Sequence, residues 1–180
     1  MIDYIPLTPS AGRVLGTELT SLAAARMRDL GYAWTAQEFS PARTGLRFDI
    51  IGVTRHTRQV RIYEVKSSRA DFLRDSKWER YLPFCTHFAF VAPAGVIARF
   101  ELERGVGLIE YGAPAFERMR RARRFGLTIL REDCLRAVKP SLRLRDRVED
   151  EPWIALLEAM AFGGRPEPLE AALFTDGAGI

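Results

Sequence analysis

Apolar residues recur along this chain with two different periods, and the switches between them mark out the elements. Val14, Leu15, Leu19, Leu22, Ala23, Met27 and Leu30 fall at helical spacing, and Gly31 follows as a natural stop, so a helix is predicted over 14–30. Tyr32 to Phe39 reads as a strand, with Pro41 and Gly45 marking the turn after it. Two runs rich in β-branched and aromatic residues come next, Arg47 to Val53 and Arg61 to Lys66. Only a polar stretch, 54–60, separates them, which predicts an antiparallel hairpin. After Lys66 the period changes from strand-like to helical. A helix is predicted from Arg69 to Leu82, begun by Ser68 and Asp71 at capping-box spacing and halted by Pro83. On it Leu73, Lys77 and Tyr81 would share a face.

His87 to Ala92 is nearly continuous in apolar residues, as a central strand would be, and 105–111 is a further strand with its glycines in the preceding turn. Phe116 to Arg124 is Arg-rich and amphipathic, Gly126 to Cys134 forms another short element, and Ser141 to Arg147 alternates Leu with Arg in the manner of an edge strand. Glu149-Asp150-Glu151-Pro152 resembles a helix start, followed by an apolar stripe of Trp153, Leu156, Leu157 and Met160. From Gly163 onward Gly, Pro and Ala predominate. The pattern predicts an α/β protein with a mixed central sheet of about five strands flanked by helices. Residues 1–162 would form one domain with an Arg-rich part at 116–147, and 163–180 a flexible tail.

Composition adds bounds. A length of 180 residues with 47% hydrophobic content supports one substantial core. The net charge is +4, but from Arg118 to Arg147 eleven Lys or Arg face three acids, a local excess of eight that leaves the remainder net acidic. Such a patch points to an anionic partner. Two cysteines, Cys85 and Cys134, make neither a disulfide framework nor a zinc motif. Together with the lack of a signal peptide or an apolar run long enough to span a bilayer, this predicts a soluble cytoplasmic protein with no membrane partner.

The candidate chemistry sits in the hairpin. Glu64 and Lys66, two apart on a strand, point to one face while Tyr63 and Val65 point to the other. Antiparallel pairing would bring Asp49 beside Glu64. Two carboxylates at close quarters need compensation, and a divalent ion supplies it: Mg²⁺ accepts one or two carboxylates plus water, and its charge is what a phosphodiester displacement requires. A lysine beside the ion would orient or stabilise the attacking hydroxide. Lysine usage agrees, because Lys66, Lys77 and Lys139 are the only lysines among 27 basic residues and two of them fall at this place. Glu18, in the first turn of the first predicted helix, either complements the helix dipole or serves the site.

Asp49 with Glu64-Val65-Lys66 resembles the signature of the PD-(D/E)xK nuclease superfamily, whose fold is restriction-endonuclease-like. The continuation is more specific. Tyr63-Glu64-Val65-Lys66-Ser67-Ser68, followed by Ala70-Asp71-Phe72, Asp75, Lys77-Trp78, Tyr81, Cys85 and Phe88-Ala89-Phe90-Val91-Ala92-Pro93, closely resembles the MmcB family of DNA repair proteins. The resemblance covers roughly Val14 to Tyr111. It implies Mg²⁺ (or Mn²⁺) held by Asp49, Glu64 and the Val65 carbonyl, with Glu18 completing the set and Lys66 acting on the attacking water. In RecB-type nucleases a Gln-x-x-x-Tyr pattern lies near the site; here the spacing is kept by Lys77 and Tyr81, with Lys for Gln.

Phosphate contacts are therefore expected from Ser67, Lys77, Tyr81 and, on the Arg-rich flank, Arg120, Arg121, Arg123 and Arg124. The function so implied is metal-dependent hydrolysis of DNA in repair, with other repair proteins as possible partners and a homodimer favoured if both strands are cut. Two alternatives stand beside it: a catalytically inactive DNA-binding accessory of the same fold, and a protein–protein adaptor whose Asp-Glu-Lys cluster is a structural ion-pair network.

Overall fold

The computed structural model of the chain describes residues 12–111 and 135–161, and of residues 12–15 and Glu18 the backbone alone. In chain order the elements are α1 (Gly12–Asp29), β1 (Trp34–Phe39), β2 (Phe48–Val53), β3 (Val60–Val65), α2 (Arg69–Arg74), a 3₁₀ segment (Trp78–Phe84), β4 (His87–Pro93), β5 (Gly107–Tyr111), β6 (Leu135–Lys139) and α3 (Asp150–Ala161). The strands form one mixed six-stranded sheet in sequence order. β1, β2 and β3 make an antiparallel meander, β4 and β5 run parallel to β3, and β6 closes the far edge antiparallel to β5.

Two expectations are corrected here. The sheet has six strands rather than about five, and its edge strand is Leu135–Lys139, while 141–147 is irregular. The Leu/Arg alternation at 141–147 is therefore not a strand signal: Leu142 is exposed, and the backbone N–H groups of Leu142 and Leu144 are spent singly on the Gly105 and Thr86 carbonyls. The second correction concerns the helix predicted over 69–82. It ends at Arg74, and the chain resumes as the 3₁₀ segment, in which Pro83 is tolerated. Leu73, Lys77 and Tyr81 consequently do not share one helical face.

Each face of the sheet has its own core. Leu19, Leu22, Ala23 and Met27 of α1 pack on Ile50, Tyr63, Val65, Ala89, Val91 and Ile109. On the other face Ile51, Ile62, Phe88, Phe90 and Leu108 meet Tyr81 of the 3₁₀ segment and Leu156 and Ala159 of α3. Trp78 lies over Phe88 with ring centroids 5.6 Å apart. Gly31, at φ 82°, ends α1 in a conformation a side chain would resist. No helix among the described residues is long and apolar enough to cross a membrane. The Arg-rich segment through residue 134 and the predicted tail at 163–180 lie outside the described residues.

Candidate functional site on the central strand

β3 carries its charges by alternation. Val60 and Ile62 fill the core on the face away from α1, and Glu64 and then Lys66 continue the same row. The row runs out of apolar residues where β3 reaches its C-terminal end, and there the cluster forms. Glu64 is 7% exposed and Lys66 5%, in a setting where charged groups are costly unless paired.

Lys66 Nζ donates to Glu64 Oε1 at 2.9 Å and lies 2.6 Å from Asp75 Oδ2, the latter a close charge contact off the direction of a well-aligned hydrogen bond. Asp49 reaches the cluster across the β2–β3 ladder. Backbone pairing is in register down to Ile50 and Tyr63, and beyond it the Val65 N–H donates to Asp49 Oδ2 at 2.7 Å. A residue's N–H and C=O point to the same side of a strand, so the Val65 carbonyl faces the side on which Asp49 lies.

The electrostatics follow from this crowding. Burial, reinforced by the Asp49 charge, pushes the Glu64 carboxyl up to about 8 against the pull of Lys66. Burial also raises Asp49, with the Val65 N–H opposing, Glu38 adding to the rise and Lys66 and Arg47 working against it. For Lys66 burial works against the charge, but the Glu64 and Asp75 carboxylates outweigh it and hold the ammonium protonated. Three carboxylates around one ammonium would leave two negative charges uncompensated if all were ionised. Glu64 Oε2, moreover, is buried with no hydrogen-bond partner among the described residues.

The remaining predicted residues are distributed as follows. Tyr81 is buried, its ring 5.1 Å from that of Phe48, and burial followed by the Glu64, Asp75 and Asp49 charges pushes its hydroxyl up to about 12; it borders the cluster from within the core. Lys77 is exposed beside the site, its N–H donating to Asp75 Oδ1 at 2.8 Å. Ser67 donates its N–H to Asp71 Oδ2 at 3.1 Å, while Ser68 Oγ accepts the Asp71 N–H at 3.2 Å. The capping expected from Ser68 and Asp71 is thus made, with the return bond going to Ser67 rather than to Ser68. Glu38 forms an exposed ion pair with Arg47 at 3.0 Å. Glu18 lies on α1, on the opposite face of the sheet, and its side chain is outside the described residues, as are Arg120, Arg121, Arg123 and Arg124. Cys85 is buried, and burial lifts its thiol to about 12, which leaves it an inert core residue.

Asp75 is the site member that sequence reasoning missed. Its signal was present: Asp-Ser-Lys puts an Asp side chain two residues before a backbone N–H, the spacing of an Asx turn that ends a helix.

Fold and site together define an α/β protein with a buried acid–lysine cluster at the end of a central strand, where a sheet of this kind would otherwise be apolar. The chain belongs to the MmcB-like family of DNA repair proteins, whose model matches residues 20–143. Among solved structures it is similar to the SPO1766 protein of unknown function from Silicibacter pomeroyi, at 25% identity and a TM-score of 0.58, over 92% of this chain and 95% of that one. No curated protein matches the chain.

Proposed function

We propose that this DNA repair protein is a divalent-metal-dependent deoxyribonuclease of the restriction-endonuclease-like kind. The observation that carries the reading is Glu64 Oε2, a buried carboxylate oxygen without a hydrogen-bond partner among the described residues, in a cluster of three acids and one lysine. Among the described residues no group of three or more His, Cys, Asp or Glu is spaced to enclose a metal. Mg²⁺ does not need one: it keeps several waters and is bound through one or two carboxylates, which Asp49 and Glu64 provide as hard oxygen donors. The residues therefore fit Mg²⁺ or Mn²⁺, with the Val65 carbonyl on the same side; Glu18, on α1 across the sheet, is not counted among these ligands.

The bound ion would neutralise charge on the phosphodiester and acidify a water. The chain's own part is positioning. Asp49 is fixed by the Val65 N–H, so one ligand oxygen is oriented before anything binds. Lys66 places a compact positive charge beside the Glu64 carboxylate, where developing negative charge on the reacting phosphate is stabilised. Lys77, exposed and without an ion pair among the described residues, together with Ser67 and the arginines 120, 121, 123 and 124, would track the DNA backbone. Partners on this reading are DNA and other repair proteins, and a homodimer where both strands are cut.

The test is cleavage of labelled single-stranded, duplex and forked DNA with Mg²⁺ or Mn²⁺, run beside EDTA and Lys66→Ala. Metal-dependent cutting that disappears in a folded, DNA-binding Lys66→Ala variant is the expected result. Binding of DNA without cutting of any substrate by the wild type overturns it and leaves a non-catalytic repair accessory.

One observation favours a structural role for the cluster instead: Lys66 already has two carboxylates, both within 3 Å of Nζ. Removing one member of a buried ion network costs about 3–5 kcal/mol. A Glu64→Gln variant that unfolds at room temperature, with or without metal, would select that reading.

A further inference from the structure

Asp75 occupies the break between α2 and the 3₁₀ segment, and the break is built around its carboxylate. Its backbone leaves the helical region at φ −77°, ψ 110°, and its N–H caps the Phe72 carbonyl at 3.2 Å. Its Oδ1 accepts the Lys77 N–H at 2.8 Å, which fixes the carboxylate plane, and Oδ2 is then turned inward to lie 2.6 Å from Lys66 Nζ. Both side chains of this pair are nearly covered, at 6% exposure for Lys66 and 8% for Asp75. A charge contact so short and so buried is energetically consequential, unlike an ion pair in water.

Lys66 thus has two acceptors that differ in what else they do. Glu64 presents one oxygen to Lys66 and leaves the other buried and, among the described residues, unpartnered. A divalent ion on Glu64 and the Lys66 ammonium would compete for the same carboxylate. Asp75 faces no such competition, because its other oxygen is held by a backbone N–H.

We propose that Asp75 is a positioning residue that anchors Lys66, holding the ammonium beside Glu64 without letting it close over the carboxylate that takes the metal. The catalytic part of this inference rests on the nuclease reading above; the anchoring part does not. Without Asp75 the ammonium keeps Glu64 as its one ion-pair partner within 4 Å among the described residues, with Asp49 acting from farther off. It would then bind the Glu64 carboxylate more fully, displacing metal and moving away from its working position.

The test compares wild type, Asp75→Asn, Asp75→Glu, Lys66→Met and the Asp75→Asn/Lys66→Met double variant, each first shown to be folded. Mn²⁺ binding is read by titration under electron paramagnetic resonance, and DNA cleavage as kcat and KM. Asp75→Asn should weaken Mn²⁺ binding by about fivefold or more although Asp75 is not a ligand, and Lys66→Met on that background should restore it. In cleavage, Asp75→Asn should lower kcat by about tenfold to a hundredfold with KM for DNA little changed, and Asp75→Glu should recover part of the loss. Mn²⁺ affinity unchanged in Asp75→Asn, or weakened equally with and without Lys66, overturns the proposal.

Should wild type neither bind Mn²⁺ nor cut DNA, the nuclease reading has failed and anchoring is decided by stability alone. Denaturant midpoints of the two single variants that fall short of additivity in the double sustain the anchor, and strictly additive midpoints overturn it. If Asp75→Asn does not fold, Asp75→Glu in the same cycle supplies the comparison.

Discussion

The Asp49 carboxylate accepts the backbone N–H of Val65 at 2.7 Å, so a side chain takes over where the β2–β3 backbone ladder ends. This single bond does two things. It satisfies a strand N–H that would otherwise be left without its ladder partner, and it turns the Asp49 carboxylate toward Glu64.

Those two roles separate by substitution. Asp49→Asn keeps an oxygen that can accept the Val65 N–H and removes the charge, whereas Asp49→Ala removes both. Asp49→Asn should fold with nearly wild-type stability and lose metal-dependent cleavage. Asp49→Ala should lose cleavage and, in addition, about 1–3 kcal/mol of stability from the abandoned N–H. Urea denaturation beside the cleavage assay distinguishes them; equal stability of the two variants would show that the bond contributes nothing to the fold.

Glu64 predicts an unusual pH dependence. Its folded value, about 8, lies above the ordinary 4.5, so between these limits the folded state holds a proton that the unfolded state has released. Stability therefore falls as pH rises: the contribution is full below about 4.5 and is lost on passing through 8. Its size is on the order of a few kcal/mol. Thermal unfolding in EDTA should show a lower Tm at pH 8 than at pH 6, and Glu64→Gln should remove most of the difference. Mg²⁺ on the carboxylate should flatten the slope as well, because a bound cation favours the ionised form.

His87 acts in the opposite direction at lower pH. Burial, with the Arg61 and Arg143 charges, lowers its ring from 6.5 to about 4, and its Nδ1 meets Thr86 Oγ1 at 3.1 Å. The unfolded chain takes up this proton first, so stability falls as pH drops from about 6.5 to 4. His87→Gln should shift the acid unfolding midpoint downward, and an unchanged midpoint would show that the carboxylates alone set it.

How much of this was legible in the sequence depends on whether neighbours in the chain or neighbours in space decide the structure. The β3 alternation that puts Glu64 and Lys66 on one face is fixed by strand geometry and could be read directly from Arg61 to Lys66. So could α1, since Leu19, Leu22, Ala23 and Met27 mark a buried stripe and Gly31 its end. The helix over 69–82 was over-extended because its periodicity is real but its middle is not helical. There Asp75 spends its carboxylate on the Lys77 N–H and on Lys66, a competition between side chain and backbone that a periodicity argument does not see. β6 was missed for a similar reason: Leu135 is buried while Arg136 and Ala137 are both exposed, so its strand pattern comes from pairing with β5 rather than from alternation.

Gly52 tests the packing that places β3. It faces α1, and a Cβ there would stand 2.5 Å from Met27 Cγ and 3.0 Å from the Tyr32 ring. Met27 is fully buried, so it cannot swing out to make room. Gly52→Ala should destabilise the fold by about 1–3 kcal/mol through overpacking between α1 and the sheet. The cluster lies on the other face and should keep its Mn²⁺ affinity in the folded variant. Loss of metal binding at wild-type stability would mean that the two faces are coupled in a way the packing does not show.

Lys77 offers the cleanest separation of binding from catalysis. Its side chain is exposed and makes no ion pair among the described residues, and only its backbone N–H serves the cluster, through Asp75. Lys77→Ala keeps that N–H, so Lys66, Glu64 and Asp49 should stay in place and Mn²⁺ affinity should not change. A lysine that meets a phosphate releases a counterion on binding, and removing it should lower the slope of log affinity against log salt by about one. In cleavage the loss should fall on KM, with kcat within about twofold of wild type. A drop in kcat at unchanged salt slope would reassign Lys77 from the DNA backbone to the reacting centre, and would make its side chain, rather than its N–H alone, part of the site that Asp75 supports.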